Sequence, residues 1–178
     1  EPQFFYEPPE PYRSRFLRPA NREAATRSDL KTIHWDAPPV VLDEQTREVL
    51  TDLYDGEIAY LDARLGELMD DLKRRQLLDQ TIVIITSDHG ENIGDHNFVE
   101  HRFCLYESVV RVPLIMHYPK QIPAGQRVAK PVSLIDVFPT LLALTGLEAP
   151  DELRARLPGY NLVGDAAKIP EDRLIFAE

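Results

Sequence analysis

The chain has 178 residues, 43% apolar and 28% charged, ordinary proportions for a globular domain with a core of its own. Its formal net charge of −10 argues against a nucleic-acid partner, and no apolar run approaches the ~20 residues that span a bilayer. A single cysteine, Cys104, excludes an intrachain disulfide. No signal peptide opens the chain. Its first residues read as the interior of a longer protein, so the compartment stays open.

Residues 1–40 hold Pro2, Pro8, Pro9, Pro11, Pro19, Pro38 and Pro39 and show no sustained period. They predict an extended connection pinned by Phe4, Phe5, Tyr6, Tyr12 and Phe16. Residues 41–147 predict a helix–strand core. Asp43 is a good N-cap. Val49, Leu50, Leu53, Tyr54, Ile58, Leu61, Leu65, Leu68, Met69 and Leu72 then recur at helical spacing, and Lys73-Arg74-Arg75 ends the helix where its dipole is negative. Gly56 and Gly66 within it imply close packing on a sheet. Thr81 to Ile85 is β-branched throughout and predicts a strand buried on both faces, as in the middle of a parallel sheet. The segment Asn92–Arg102 reads as a loop and Leu105–Val110 as a short helix. Arg111–Tyr118 reads as a second strand, with Pro113 at its start or on an edge. Val128–Ser133 is a short strand or extended piece. Asp136 caps a helix over Val137–Thr145, with Pro139 in its first turn and Gly146 as its stop. Residues 148–178 read as a loop and a final strand from Arg173 to Glu178. Helix followed by buried strand is the half-unit of a layered α/β fold.

The chemistry gathers where the first strand ends. Ser87-Asp88-His89-Gly90-Glu91 sets a carboxylate beside an imidazole at the strand edge where α/β sheets place ligands. Three of the five histidines, His89, His96 and His101, lie within a short stretch that also carries Glu91, Asp95 and Glu100. Carboxylates and imidazoles suit hard or borderline divalent cations, and Gly90 lets the backbone turn sharply after the pair. Asp88 and His89 are therefore the candidate half of a metal site.

The order of motifs resembles a known family. Ser87-Asp88-His89-Gly90-Glu91, Gly94-Asp95-His96, Leu105-Tyr106-Glu107 and Arg111-Val112-Pro113-Leu114-Ile115 are similar to the C-terminal part of the sulfatase catalytic domain. Tyr6 to Tyr12, Tyr54 to Asp62, Asp136 to Leu142 and Phe176-Ala177-Glu178 extend the resemblance along nearly the whole chain. It implies an alkaline-phosphatase-like α/β sandwich, with a mostly parallel sheet flanked by helices, present here as one partial domain. It also implies hydrolysis of sulfuric esters of small molecules or saccharides. The implied cofactor is a divalent ion, usually calcium, with magnesium or manganese as alternatives, and Asp88 and His89 fall at two of its ligands. The family's Lys or His beside the leaving oxygen falls on His101 counted from Asp88, and on Arg102 counted back from Tyr106-Glu107. His101 is preferred, because an imidazole gives up a proton near neutral pH and a guanidinium does not; Arg102 would clamp an anion. His in place of the family's commoner Asn at position 89 also occurs in phosphonate and phosphodiester hydrolases, which remain the alternative, beside a non-catalytic remnant.

The family's nucleophile is a formylglycine made within a Cys/Ser-x-Pro-x-Arg motif. No such motif occurs, and Cys104-Leu105-Tyr106-Glu107 is not one. The chain is thus expected to be a fragment: inactive by itself, weak in binding metal, and prone to self-association through uncovered edges. Cys104 reads as a packing residue.

Overall fold

The computed structural model describes residues 2, 5–27, 30 and 39–177. They form two compact units, residues 1–75 with 89–112 and residues 76–88 with 113–178. Phe4, Pro38 and Glu178 lie outside the described residues.

The first unit is built on α2, Glu44–Arg74. The Asp43 carboxylate accepts from the Thr46 N–H at 2.7 Å, which satisfies one of the donors a helix start leaves open. At the other end Asp71 pairs with Arg74 and Arg75. Val49, Leu50 and Leu53 are buried with Tyr6, Leu17, Ala24, Ala25 and Leu30. The N-terminal segment is therefore more than an extended connection. It contains α1, Tyr12–Phe16, and two 3₁₀ turns, Pro19–Asn21 and Ala24–Thr26. Polar groups pin it as firmly as its aromatics. The buried Asp52 carboxylate accepts from Arg18 N, Arg18 Nε and Asn21 Nδ2 at 2.8–3.0 Å, while Tyr6 packs edge-on against Tyr54.

Two expectations for α2 need correction. Its apolar stripe is buried only as far as Gly56; Ile58 is 43% and Leu68 54% exposed. The covering segment lies along the early turns; later in the helix Leu61, Leu65, Met69 and Leu72 are half-buried, and no apolar side chain of the helix beyond Gly56 is fully buried among the described residues. Gly56 does mark a close approach, but Pro8 makes it: an added Cβ would sit 2.9 Å from Pro8 Cγ. At Gly66 an added Cβ would meet nothing within 4 Å among the described residues.

Residues 92–102 are a hairpin, where a loop is the sequence expectation. β2, Asn92–Ile93, pairs antiparallel with β3, Val99–Glu100, in the register Asn92↔Glu100 and Ile93↔Val99. Its turn runs through left-handed Gly94, His96 and Asn97, the conformation short hairpins need. α3, Glu107–Val110, follows.

In the second unit β1, Val83–Thr86, pairs antiparallel with β4, Leu114–His117, from Val83↔His117 to Thr86↔Leu114. Both ladders among the described residues are antiparallel, so no parallel pairing of the expected sheet lies within them. β1 is half-buried and ends exposed at Thr86; its β-branched run predicts two covered faces, and with one partner strand it has less cover than that. α4, Val137–Thr145, has the predicted bounds and stops at left-handed Gly146. Asp136 does not cap it by side chain. Its fully buried carboxylate accepts from Ser133 N, Tyr160 N and both terminal nitrogens of Arg173, at 2.7–2.9 Å. Residues 128–133 join no ladder, and neither do residues 173–177, where Leu174 and Phe176 are exposed. A short α5, Asp151–Arg154, lies in the stretch expected to be loop.

Candidate active site

Asp88 follows β1 at the strand's C-terminal end, in the second unit. The Ser87 hydroxyl lies 3.4 Å from its Oδ1. The backbone then turns at Gly90. An added Cβ there would collide with the Ser108 carbonyl oxygen and lie 3.3 Å from Val109 Cα, so only glycine fits. That approach makes two backbone bonds, Gly90 N–H to Val109 O at 2.7 Å and Glu91 N–H to Ser108 O at 3.0 Å, which fix the start of α3 against the segment carrying His89 and Glu91.

Within the first unit His89 and His101 come together. Their rings stack with centroids 3.8 Å apart and planes 23° apart. His89 Nδ1 is 2.9 Å from Gly90 O. A carbonyl can only accept, so Nδ1 donates to it, the arrangement of a histidine that ligates through Nε2. His101 Nδ1 lies 3.4 Å from Glu91 Oε1. Arg102 Nε lies 3.8 Å from Glu100 Oε2. His96, also in the cluster, stacks on Tyr106 instead.

Two carboxylates here are poorly solvated. Burial raises the Glu91 pKa to about 7, the nearby Glu100 adds to this, and His89 and a Tyr6 hydrogen bond oppose it. Burial also raises Glu100, opposed by Arg102. Beneath them Asn92 is fully buried, with Nδ2 donating to Glu100 O at 2.7 Å and to Cys104 Sγ at 3.1 Å, while Ser108 Oγ donates to its Oδ1 at 2.5 Å. Cys104 is half-buried, and its sulfur accepts that bond from Asn92. Asn92 and Ser108 escape sequence reasoning, which reads the segment of Asn92 as loop and places Ser108 on a short helix with no role. The available signal is the Gly94–Asn97 turn between Ile93 and Val99, which would have revealed the hairpin.

The family model for sulfatases matches residues 2–147. The chain belongs to the sulfatase family. Arylsulfatase K of Canis lupus familiaris is 41% identical over 105 residues, covering 59% of this sulfatase chain and 18% of that protein. The phosphonate monoester hydrolase of Silicibacter pomeroyi superposes with a TM-score of 0.63 at 28% identity, over 78% of this chain and 26% of the other. A protein solved in complex with its substrate, D-glucosamine-2-N,6-O-disulfate, gives a TM-score of 0.56 at 29% identity, over 74% and 27%. The sulfatase chain thus spans about a fifth of the curated relative's length, and its fold is a part of the alkaline-phosphatase-like α/β sandwich.

The residue types at positions 88 and 89 suit a divalent ion. Asp88 is a hard oxygen donor by type, and His89 is an imidazole whose Nδ1 lies 2.9 Å from Gly90 O. Among the described residues no group of three or more His, Cys, Asp or Glu is placed to hold a metal. Two ligands are well short of the roughly 6–8 that calcium takes.

Proposed function

We propose that this chain forms the metal and leaving-group side of a hydrolase of sulfuric esters, with a sulfated saccharide as the substrate class. The stack of His89 on His101 at 3.8 Å carries the reading, since it sets a metal-ligand candidate against the residue assigned to the ester. Asp88 and His89 would hold the ion, most naturally calcium. The ion would supply positive charge to the anionic ester oxygens. His101 gives a proton to the leaving oxygen as the S–O bond breaks. Arg102, held near Glu100, is the further cation available to an anion. The saccharide class rests on the neighbour solved with a glucosamine disulfate.

The nucleophile that this reading requires, a formylglycine, has no precursor motif in the sequence. The chain alone is therefore inactive. Calcium-supplemented assays on an aryl sulfate test this. No turnover is expected; turnover that vanishes in His101→Ala would overturn it.

The likeness to a phosphonate monoester hydrolase favours one alternative, a phosphonate or phosphodiester hydrolase. Rates of the full-length protein on sulfate, phosphate and phosphonate esters of one phenol separate the two. The sulfate ester is expected to be fastest.

A further inference from the structure

We propose that Glu91 is a positioning residue that holds the His101 imidazole by its Nδ1 edge, so that Nε2, on the opposite side of the ring, is presented to the leaving oxygen. This rests on the reading of His101 given above.

The hairpin places the two residues. Asn92 and Glu100 are paired across β2 and β3. Glu91 and His101 are the next residues outward, so they face each other across the end of an antiparallel ladder, where side chains of opposite residues interact. Glu91 Oε1 and His101 Nδ1 are 3.4 Å apart, with side-chain exposures of 4% for Glu91 and 24% for His101. Both strand ends are tied by hydrogen bonds. The Glu91 N–H is bonded to Ser108 O at 3.0 Å. Asn92 ties the Glu100 carbonyl to Ser108 through a buried side chain. The carboxylate is therefore fixed from its own backbone and the imidazole from the strand before it. A carboxylate on Nδ1 sets the orientation of a histidine acting through Nε2, as in other acid–base dyads.

The test uses the full-length enzyme and a series of aryl sulfates with phenols of graded acidity. His101→Ala should lose rate with poor leaving groups and little with activated ones, because proton donation matters only for the former. Glu91→Ala should show the same dependence, losing about tenfold or more with the poorest leaving group. Glu91→Gln, which keeps an oxygen acceptor at the same distance from Nδ1, should recover most of that loss. The double variant Glu91→Ala/His101→Ala should be no slower than His101→Ala alone. Equal losses across all leaving groups in the Glu91 variants, or no loss, would overturn the assignment. If His101→Ala itself shows no leaving-group dependence, the role given to His101 fails first. Should Glu91→Ala not fold, the near-isosteric Glu91→Met and Glu91→Gln decide, since only the glutamine keeps an oxygen acceptor.

Discussion

Arg173 closes on Asp136 with both terminal guanidinium nitrogens, at 2.7 and 2.9 Å, and the pair is almost wholly buried, at 9% and 0% side-chain exposure. The guanidinium also lies over the Tyr160 ring, with Cζ 4.8 Å from its centroid. One carboxylate thereby joins Ser133, Tyr160 and Arg173, three points scattered along the second unit. Arg173→Ala should cost roughly 3–5 kcal/mol, because it leaves a buried charge without its counter-ion. Arg173→Lys should recover part of this, having the charge without the planar fork. Urea unfolding followed by circular dichroism measures both.

The Glu91 carboxyl sets a pH dependence of the first unit. Its pKa is raised to about 7 from an ordinary 4.5, chiefly by burial. The folded state therefore holds the proton more tightly than the unfolded one. The sign follows: the associated stability is complete below about 4.5 and is lost as pH rises through about 7. Glu91→Gln should flatten the thermal midpoint across this window. A wild-type midpoint that rises from pH 5 to pH 7 by as much as the variant's would contradict the assignment.

The two glycines of α2 should respond with opposite sign. At Gly66 nothing lies within 4 Å of an added Cβ, so Gly66→Ala should stabilise by about 1 kcal/mol through helix propensity alone. At Gly56 the same carbon meets the Pro8 ring and the Tyr12 carbonyl oxygen. Gly56→Ala should destabilise by about 1–3 kcal/mol. Melting curves of both variants, recorded side by side, are sufficient.

Removal of either metal-ligand candidate should act on binding and rate together. In the full-length protein Asp88→Ala and His89→Ala should each lower calcium content after dialysis and lower turnover in step, by at least about tenfold. Retained calcium with retained rate would take that residue out of the site.

How much of this was legible in the sequence depended on whether the deciding groups were neighbours. α4 was readable to the residue, since Pro139 and Gly146 mark its bounds locally. The cap at Asp43 was readable for the same reason. The metal-ligand candidates and His101 came from motif order, and the stack of His89 on His101 is a contact no spacing reports. The hairpin was missed because two of its left-handed residues are His96 and Asn97 rather than glycine. The burial of β1 and of the later α2 stripe was over-read, because periodicity shows which face is apolar and never what covers it. The role of Asp136 was misassigned to the adjacent helix, since its strongest partner, Arg173, is distant in the chain.

Glycine codons begin with two guanines, and every single-base change in them that alters the amino acid installs a side-chain carbon. At Gly90 that carbon has nowhere to go, because the Ser108 carbonyl occupies its place. A genetic screen that tolerates ordinary missense changes nearby should therefore return this codon unaltered or only synonymously altered, a heritable signature of one backbone contact.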